Sequence, residues 1–281
     1  MLELIHKELV IPGLTGTYRI MHITDAHVIA MDERDDGVVI VDGGPHNGKL
    51  VTVFGGKRLE HFTHNGVTTA ERFRALCETI RENPDCADLI VFTGDILDFF
   101  THAALEFVTE CLSILPIPYV YVMGNHDSIF YTEGEENTRR WFTSLCGGNT
   151  ENQKYKLGEL AIIGIDNARD RYTEKGLAEL EKALEGEEYA ILCQHIPLSN
   201  EAYHEEAMRV VGVDHGLGPQ SVCVDGTWKV VFDRIAAPGS PIKALFCGDC
   251  HRDHCSKIGD AVMFTTPYTA MYPPVLFYIH G

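Results

Sequence analysis

Five short apolar runs in this chain end in side chains that bind hard metal ions. Residues 18–23 lead to Asp25 and His27, and residues 89–92 lead to Asp95 and Asp98 in the string Gly94-Asp95-Ile96-Leu97-Asp98. Residues 119–123 and Gly124 lead to Asn125, His126 and Asp127. Residues 190–193 lead to His195, and residues 244–247 with Gly248 lead to Asp249 and His251. Carboxylate, amide and imidazole donors suit magnesium and the divalent first-row metals. Two such ions about 3.5–4 Å apart can clamp the attacking and leaving oxygens of an in-line displacement. Ions that close repel, which calls for a bridging carboxylate, and Asp95 is the centrally placed acid. Taken singly, an acid or histidine after a strand is an ordinary cap or loop residue. The ordered set is what points to chemistry.

The elements around these residues alternate. The apolar runs read as strands, as do residues 160–166. Helical spacing covers residues 68–81 and 102–115, the second stopped by Pro116. Further helices are expected over 135–145, ended by Gly147-Gly148, over 173–185, with Thr173 as cap, over 201–211 and over 227–236. Residues 212–226 read as a loop, and the tail is strand-like at 254–258, 262–265 and 275–280. Alternation of this kind predicts an α/β layered fold, and the strand-rich tail predicts sheets that are not purely parallel. In open α/β sheets ligands gather outside the carboxyl ends of strands, where every candidate here lies. The chain reads as one domain, residues 1–281, with an insertion at 31–63 over the site mouth. Within it, residues 37–43 read as a strand, and 50–54 and 58–62 as a hairpin around Gly55-Gly56-Lys57. Lys49, Lys57, Arg58 and Arg72 are expected on a solvated hairpin face rather than on a substrate phosphate.

Composition narrows the function. A net charge of -18 over 281 residues repels phosphate backbones and anionic membrane surfaces. Neither a nucleic-acid polymer nor a membrane is an expected partner. A small anionic substrate stays compatible, because bound cations dominate their own site. Nine cysteines, an odd number with Cys193 and Cys247 inside apolar runs, look like free thiols in a cytoplasmic protein. The N-terminus lacks a signal-peptide core, and residues 112–123, interrupted by Pro116 and Pro118, are too short to span a bilayer. There is no Gly-x-Ser-x-Gly elbow, Walker loop or Gly-x-Gly-x-x-Gly fingerprint, and no cysteine has an arginine six positions on.

The strings Asp25-Ala26-His27, Gly94-Asp95-Ile96-Leu97-Asp98, Gly124-Asn125-His126-Asp127, the isolated His195 and Gly248-Asp249-Cys250-His251 resemble the five blocks of the calcineurin-like metallophosphoesterases, in the same order. Ile165-Asp166-Asn167 is similar to that family's intervening segment. The resemblance implies a four-layer α/β/β/α sandwich of two mixed sheets flanked by helices. It implies one metal held by Asp25, His27, Asp95 and His251 and a second by Asp95, Asn125, His195 and Asp249. It implies that His126 protonates the leaving oxygen or steadies the transition state, that Asp98 holds and polarises His126, and that Asp127 supports the ligands from behind. The expected reaction is hydrolysis of a small phosphomonoester or phosphodiester, such as a nucleotide, by a metal-bridging hydroxide without a covalent phospho-enzyme.

The last block departs from the family's usual Gly-His-x-His, because Asp249 stands at the first histidine. An anionic oxygen there favours Mn²⁺ or Fe, with Mg²⁺ and Zn²⁺ as alternatives, and His254 is a substitute for that position. Two rival readings follow from the same block. One is a metal-binding module of the same fold, catalytically weakened by Asp249. The other is a zinc or haem protein using Cys247, Cys250 and His251, since Cys247-Gly248-Asp249-Cys250-His251 matches a c-type haem attachment string.

Overall fold

A computed structural model describes residues 2–40, 48–127, 135–223 and 225–281. In chain order the described elements are β1 (Ile5–Val10), β2 (Tyr18–Ile23), β3 (Val39–Ile40), β4 (Lys49–Leu50), α1 (Val51–Phe62), α2 (Thr69–Glu82), β5 (Leu89–Thr93), α3 (His102–Ser113), β6 (Tyr119–Val122) and α4 (Glu135–Trp141). They continue with β7 (Asn152–Leu157), β8 (Leu160–Ile165), α5 (Glu174–Leu184), β9 (Tyr189–Gln194), α6 (Glu201–Val210), α7 (Trp228–Ala236), β10 (Ile242–Cys247), β11 (His254–Ile258), β12 (Ala261–Thr265) and β13 (Val275–His280).

Two mixed sheets carry the fold. The first runs β1-β13-β2-β5-β6 and the second β11-β12-β10-β9-β8-β7. Strands β2, β5 and β6 are parallel, as are β8, β9, β10 and β12. Side chains alternate across each strand, so each sheet buries both faces. Ile20, Leu89, Val91, Val120 and Phe277 meet Ile162, Ile191, Ala244 and Phe246 between the sheets. On the outer face of the first sheet, Met21, Ile90 and Phe92 pack against Phe73, Cys77 and Ile80 of α2 and Val108 and Leu112 of α3. Ala161, Ile163, Leu192 and Leu245 do the same on the second, against Leu180 of α5, Tyr203 of α6 and Val231 of α7. The result is the four-layer α/β/β/α sandwich.

Register levels the strand ends. Ile23 pairs with Phe92, and Phe92 with Tyr121, so the segments bearing Asp25, Asp95 and Asn125 leave the sheet side by side. Cys247 pairs with Gln194, which sets His195 beside Asp249.

Residues 50–62 correct the expected hairpin: β4 runs straight into the single helix α1. The Gly-Gly pair reads as a turn, but Val51, Phe54 and Phe62 fall on one buried helical face. They pack with Ile29, Ile40, Phe99 and Ala270 in a separate small core. Burying each phenylalanine there contributes about 1.5–3 kcal/mol, more than the helix cost of a glycine, about 1 kcal/mol. Gly55 is itself a packing residue, because a Cβ would collide with Met31 and Phe99. Of the strand expected at 37–43, Val39–Ile40 pairs antiparallel with β4, and residues 41–43 lie outside the described residues. Helix α4 stops at Trp141, short of residue 145, and turns continue to Gly148. Strands β1 and β7 are additions to the sequence reading.

Candidate metal centre

Five of the seven described non-glycine residues with left-handed backbone are candidate ligands: Asp25 (φ 51°), His27 (φ 44°), Asp95 (φ 51°), Asp249 (φ 65°) and His251 (φ 55°). This region costs an L-residue about 1–2 kcal/mol, and surrounding contacts hold it. Asp25 N–H donates to the Gly94 carbonyl (3.0 Å), His27 N–H to the Asp95 carbonyl (3.0 Å) and Gly248 N–H to the His195 carbonyl (2.8 Å). The chain therefore kinks after β2, β5 and β10 and turns successive candidate ligands into one space. Glycine precedes three of them because nothing larger fits. A Cβ on Gly94 would strike Gly124 and His195, one on Gly124 would strike Asp95, and one on Gly248 would strike Thr24 and Asp25.

The side chains converge. Ligand atoms of Asp25, His27 and His251 lie within 4.8 Å of one another, as do those of Asp25, Asp95 and His195, and those of His27, Asp95 and His126. Asp25, His27 and Asp95 each belong to two of these groups, so the groups share one centre. His195 Nε2 lies 3.0 Å from Asn125 Oδ1, 3.3 Å from Asp95 Oδ2 and 3.7 Å from Asp249 Oδ1. His251 Nε2 lies 3.2 Å from Asp25 Oδ1. The floor of the site is buried, while His251 and His126 stand at its mouth.

Each of three imidazoles is fixed through Nδ1. His195 Nδ1 donates to the Thr93 carbonyl (2.6 Å), His27 Nδ1 to Asp98 Oδ1 (2.9 Å) and His126 Nδ1 to the Asp98 carbonyl (2.6 Å). That tautomer leaves Nε2 to face the centre, the arrangement metal-ligating histidines use. His27 Nε2 and His251 Nε2 sit 3.0 Å apart beside Asp25. Two imidazole nitrogens and a carboxylate converging on one point can share a proton or take a cation between them. The donor set thus fits divalent metals with mixed oxygen and nitrogen ligation.

The electrostatics point the same way. Burial opposes ionisation of Asp95, yet His195 and His126 hold its carboxyl well below the usual range. Burial also works against a charge on His195, and Asp95 overrides it, raising the imidazolium well above its ordinary range. Burial, with Asp95 and Asp25 nearby, lifts Asp249 to about 6 even against His195. Burial and Asp95 lift Asp127 to about 7. Asp127 accepts backbone N–H bonds from Asp95 (3.0 Å), Leu97 (2.9 Å) and Gly124 (2.7 Å), clamping two of the ligand-bearing turns from behind.

Asp98 reaches His126 differently from the sequence expectation. Its carboxylate oxygen lies 3.7 Å from His126 Nδ1, too far for a hydrogen bond, and is turned to His27 and Arg58. The backbone carbonyl of Asp98, not its side chain, holds His126. His254 opens β11 and packs edge-on against Tyr203 at 5.5 Å, outside the three converging groups. Cys247 packs in the outer core and Cys255 is exposed on β11.

Sequence reasoning missed three supporting groups. Asn167 Oδ1 accepts from His195 N–H (3.2 Å) and Ile196 N–H (3.0 Å) and so fixes the His195 turn. Phe62 stacks on His27 at 4.9 Å, and Arg58 pairs with Asp98. Helical spacing of Arg58 and Phe62 was the available signal for the last two.

Comparison with known proteins gives the family. The sequence profile of the calcineurin-like phosphoesterases matches residues 18–253. A probable glycerophosphodiester phosphodiesterase of Arcobacter nitrofigilis is 30% identical over 95 residues, 33% of each chain. A 3',5'-cyclic adenosine monophosphate phosphodiesterase of Escherichia coli K12 is 39% identical over 62 residues, 22% of each chain. The matched stretch is thus a third or less of these relatives. A dimetal phosphatase from Danio rerio shares the fold with a TM-score of 0.54 and 11% identity, covering 94% of this chain and 93% of that one. The chain belongs to the calcineurin-like phosphoesterases.

Proposed function

We propose that the chain hydrolyses a small phosphomonoester or phosphodiester at a two-metal centre. The observation that carries this is the convergence of Asp25, His27, Asp95 and His195 on one buried floor with His251 and His126 at its mouth. Asp25, His27, Asp95 and His251 would hold one cation, and Asp95, Asn125, His195 and Asp249 the other. When bound, such a pair supplies Lewis acidity toward phosphoryl oxygens and a water-derived nucleophile at neutral pH. Asp249 adds an anionic oxygen, which favours Mn²⁺ or Fe over Zn²⁺.

His126 is the proton donor of this reading. With Nδ1 committed to the Asp98 carbonyl, Nε2 is the atom that carries a proton to the departing alkoxide. Asp127 keeps the Asp95 and Asn125 turns rigid through its three backbone bonds. A recess of about 380 Å³, lined by Asn125, Asp249, His251 and Arg252 among others, adjoins the floor and suits a small ester. The phosphodiesterase relatives support a diester, and the net charge of -18 disfavours a polymeric one. Segment 31–63 is read as an insertion in one domain, 1–281, and its described residues Arg58 and Phe62 reach the site. No helix among the described residues is long and apolar enough to cross a membrane. The nine free thiols suit the reducing cytoplasm.

Metal analysis together with a phosphoester panel tests the proposal. The expected result is about two metals per chain and Mn²⁺-stimulated hydrolysis of p-nitrophenyl phosphate or bis(p-nitrophenyl) phosphate. A single zinc with thiolate absorption after cobalt substitution would sink it. A metal-loaded chain inert to the whole panel would instead mark a binding module.

A further inference from the structure

We propose that Arg58, carried by α1 outside the five ligand-bearing strings, is a positioning residue of the metal centre, acting on His27 through Asp98. The inference rests on the two-metal reading above. Arg58 Nε donates to Asp98 Oδ2 at 2.7 Å, and Nη2 donates to Oδ1 at 2.5 Å. The pair is a two-pronged fork on a carboxylate with no exposed surface, while Arg58 itself keeps 24% exposure. The same Asp98 Oδ1 accepts the Nδ1 proton of His27 at 2.9 Å. The guanidinium also lies 4.7 Å from the Phe62 ring centre, and Phe62 stacks on His27 with planes 12° apart. One helix thus grips His27 twice, at its Nδ1 through Asp98 and across its ring face.

The physical role follows from burial. A carboxylate with no access to water keeps a fixed position only if its charge is matched and its oxygens are hydrogen-bonded. Arg58 matches it and fixes both oxygens in the plane that receives His27. Without Arg58, the Asp98 carboxylate loses the fork that fixes its plane and is free to turn, which weakens the acceptor that holds His27 Nε2 toward Asp25 and His251. Partners of this kind behind a ligating histidine are worth about 10–100-fold in metal affinity.

The test is a double-mutant cycle on Mn²⁺ affinity, read by calorimetric titration of the full chain. Arg58→Gln is expected to weaken binding by about 10–100-fold, with Asp98→Asn at least as damaging. The double variant should be no weaker than Asp98→Asn, because Arg58 acts through Asp98. Wild-type affinity in Arg58→Gln, or losses that multiply in the double variant, would overturn the proposal. A purely structural anchor for α1 would lower the melting temperature and leave affinity untouched. Should Arg58→Gln not fold, Arg58→Lys carries the test: it keeps the charge and loses the fork. It should bind several-fold more weakly, and unchanged affinity would refute the role. A wild-type chain that binds Mn²⁺ but cleaves no ester overturns the phosphoesterase reading, and the cycle still decides for or against Arg58.

Discussion

At the scale of single residues, the proposed mechanism divides the work between Asp95 and His126. Asp95 contributes an oxygen to two of the converging groups, so Asp95→Asn is predicted to lose metal and activity together. His126→Gln should retain metal, measured by elemental analysis, and lower kcat by about 10²–10⁴-fold. Unchanged kcat would remove His126 from the proton chemistry. The ligand types and their order were legible in the sequence, because donor chemistry and position after apolar runs are both written there. Two things were not. The left-handed backbone of Asp25, His27, Asp95, Asp249 and His251 is a property of turns closed by distant carbonyls. The partner of Asp98 depends on how two segments 71 residues apart face each other, and that gave the carboxylate to His27 rather than His126.

At the scale of elements, α1 shows where local reading and tertiary packing part. Gly55-Gly56 argues for a turn, yet the buried face of Val51, Phe54 and Phe62 decides for a helix. A consequence distinguishes this account from simple propensity. Gly→Ala inside a helix ordinarily stabilises by about 0.5–1 kcal/mol. Gly55→Ala is predicted to destabilise by about 1–2 kcal/mol instead, because its methyl would press into Met31 and the buried Phe99. Urea unfolding measures the sign, and a stabilised variant would show that α1 packs loosely. The core strands and α2, α3, α5, α6 and α7 were legible within a few residues, since their periodicity is long, and in four of these helices the cap is explicit: Thr68, Thr101, Thr173 and Asn200 each accept a backbone bond at a helix start. Strand β7 alternates polar and partly buried side chains and lies at a sheet edge, where the apolar signal is weak.

At the scale of the whole molecule, the two sheets meet over a histidine that must stay neutral. His22 stacks on Phe246 of the opposite sheet at 5.6 Å and its ring nitrogens reach the Thr93 and Thr266 hydroxyls. Burial lowers its imidazolium to about 3, against an ordinary 6.5. Below pH 6.5 the unfolded chain takes up a proton that the folded chain refuses, so the contribution of neutral His22 is present above pH 6.5 and is lost as pH falls toward 3. The loss between pH 7 and pH 5 is about 2 kcal/mol. Chemical unfolding at the two pH values should show that difference, reduced in His22→Gln; an equal difference in both proteins would place its source elsewhere. The same sandwich brings the strand ends of both sheets to one floor, and the proposed two-metal phosphoesterase chemistry rests on that convergence. Titrating Mn²⁺ into metal-free protein while following bis(p-nitrophenyl) phosphate hydrolysis tests this most directly. Turnover should rise to a plateau near about two equivalents per chain and vanish with chelator; a chain that takes up the metal and hydrolyses nothing would contradict the account.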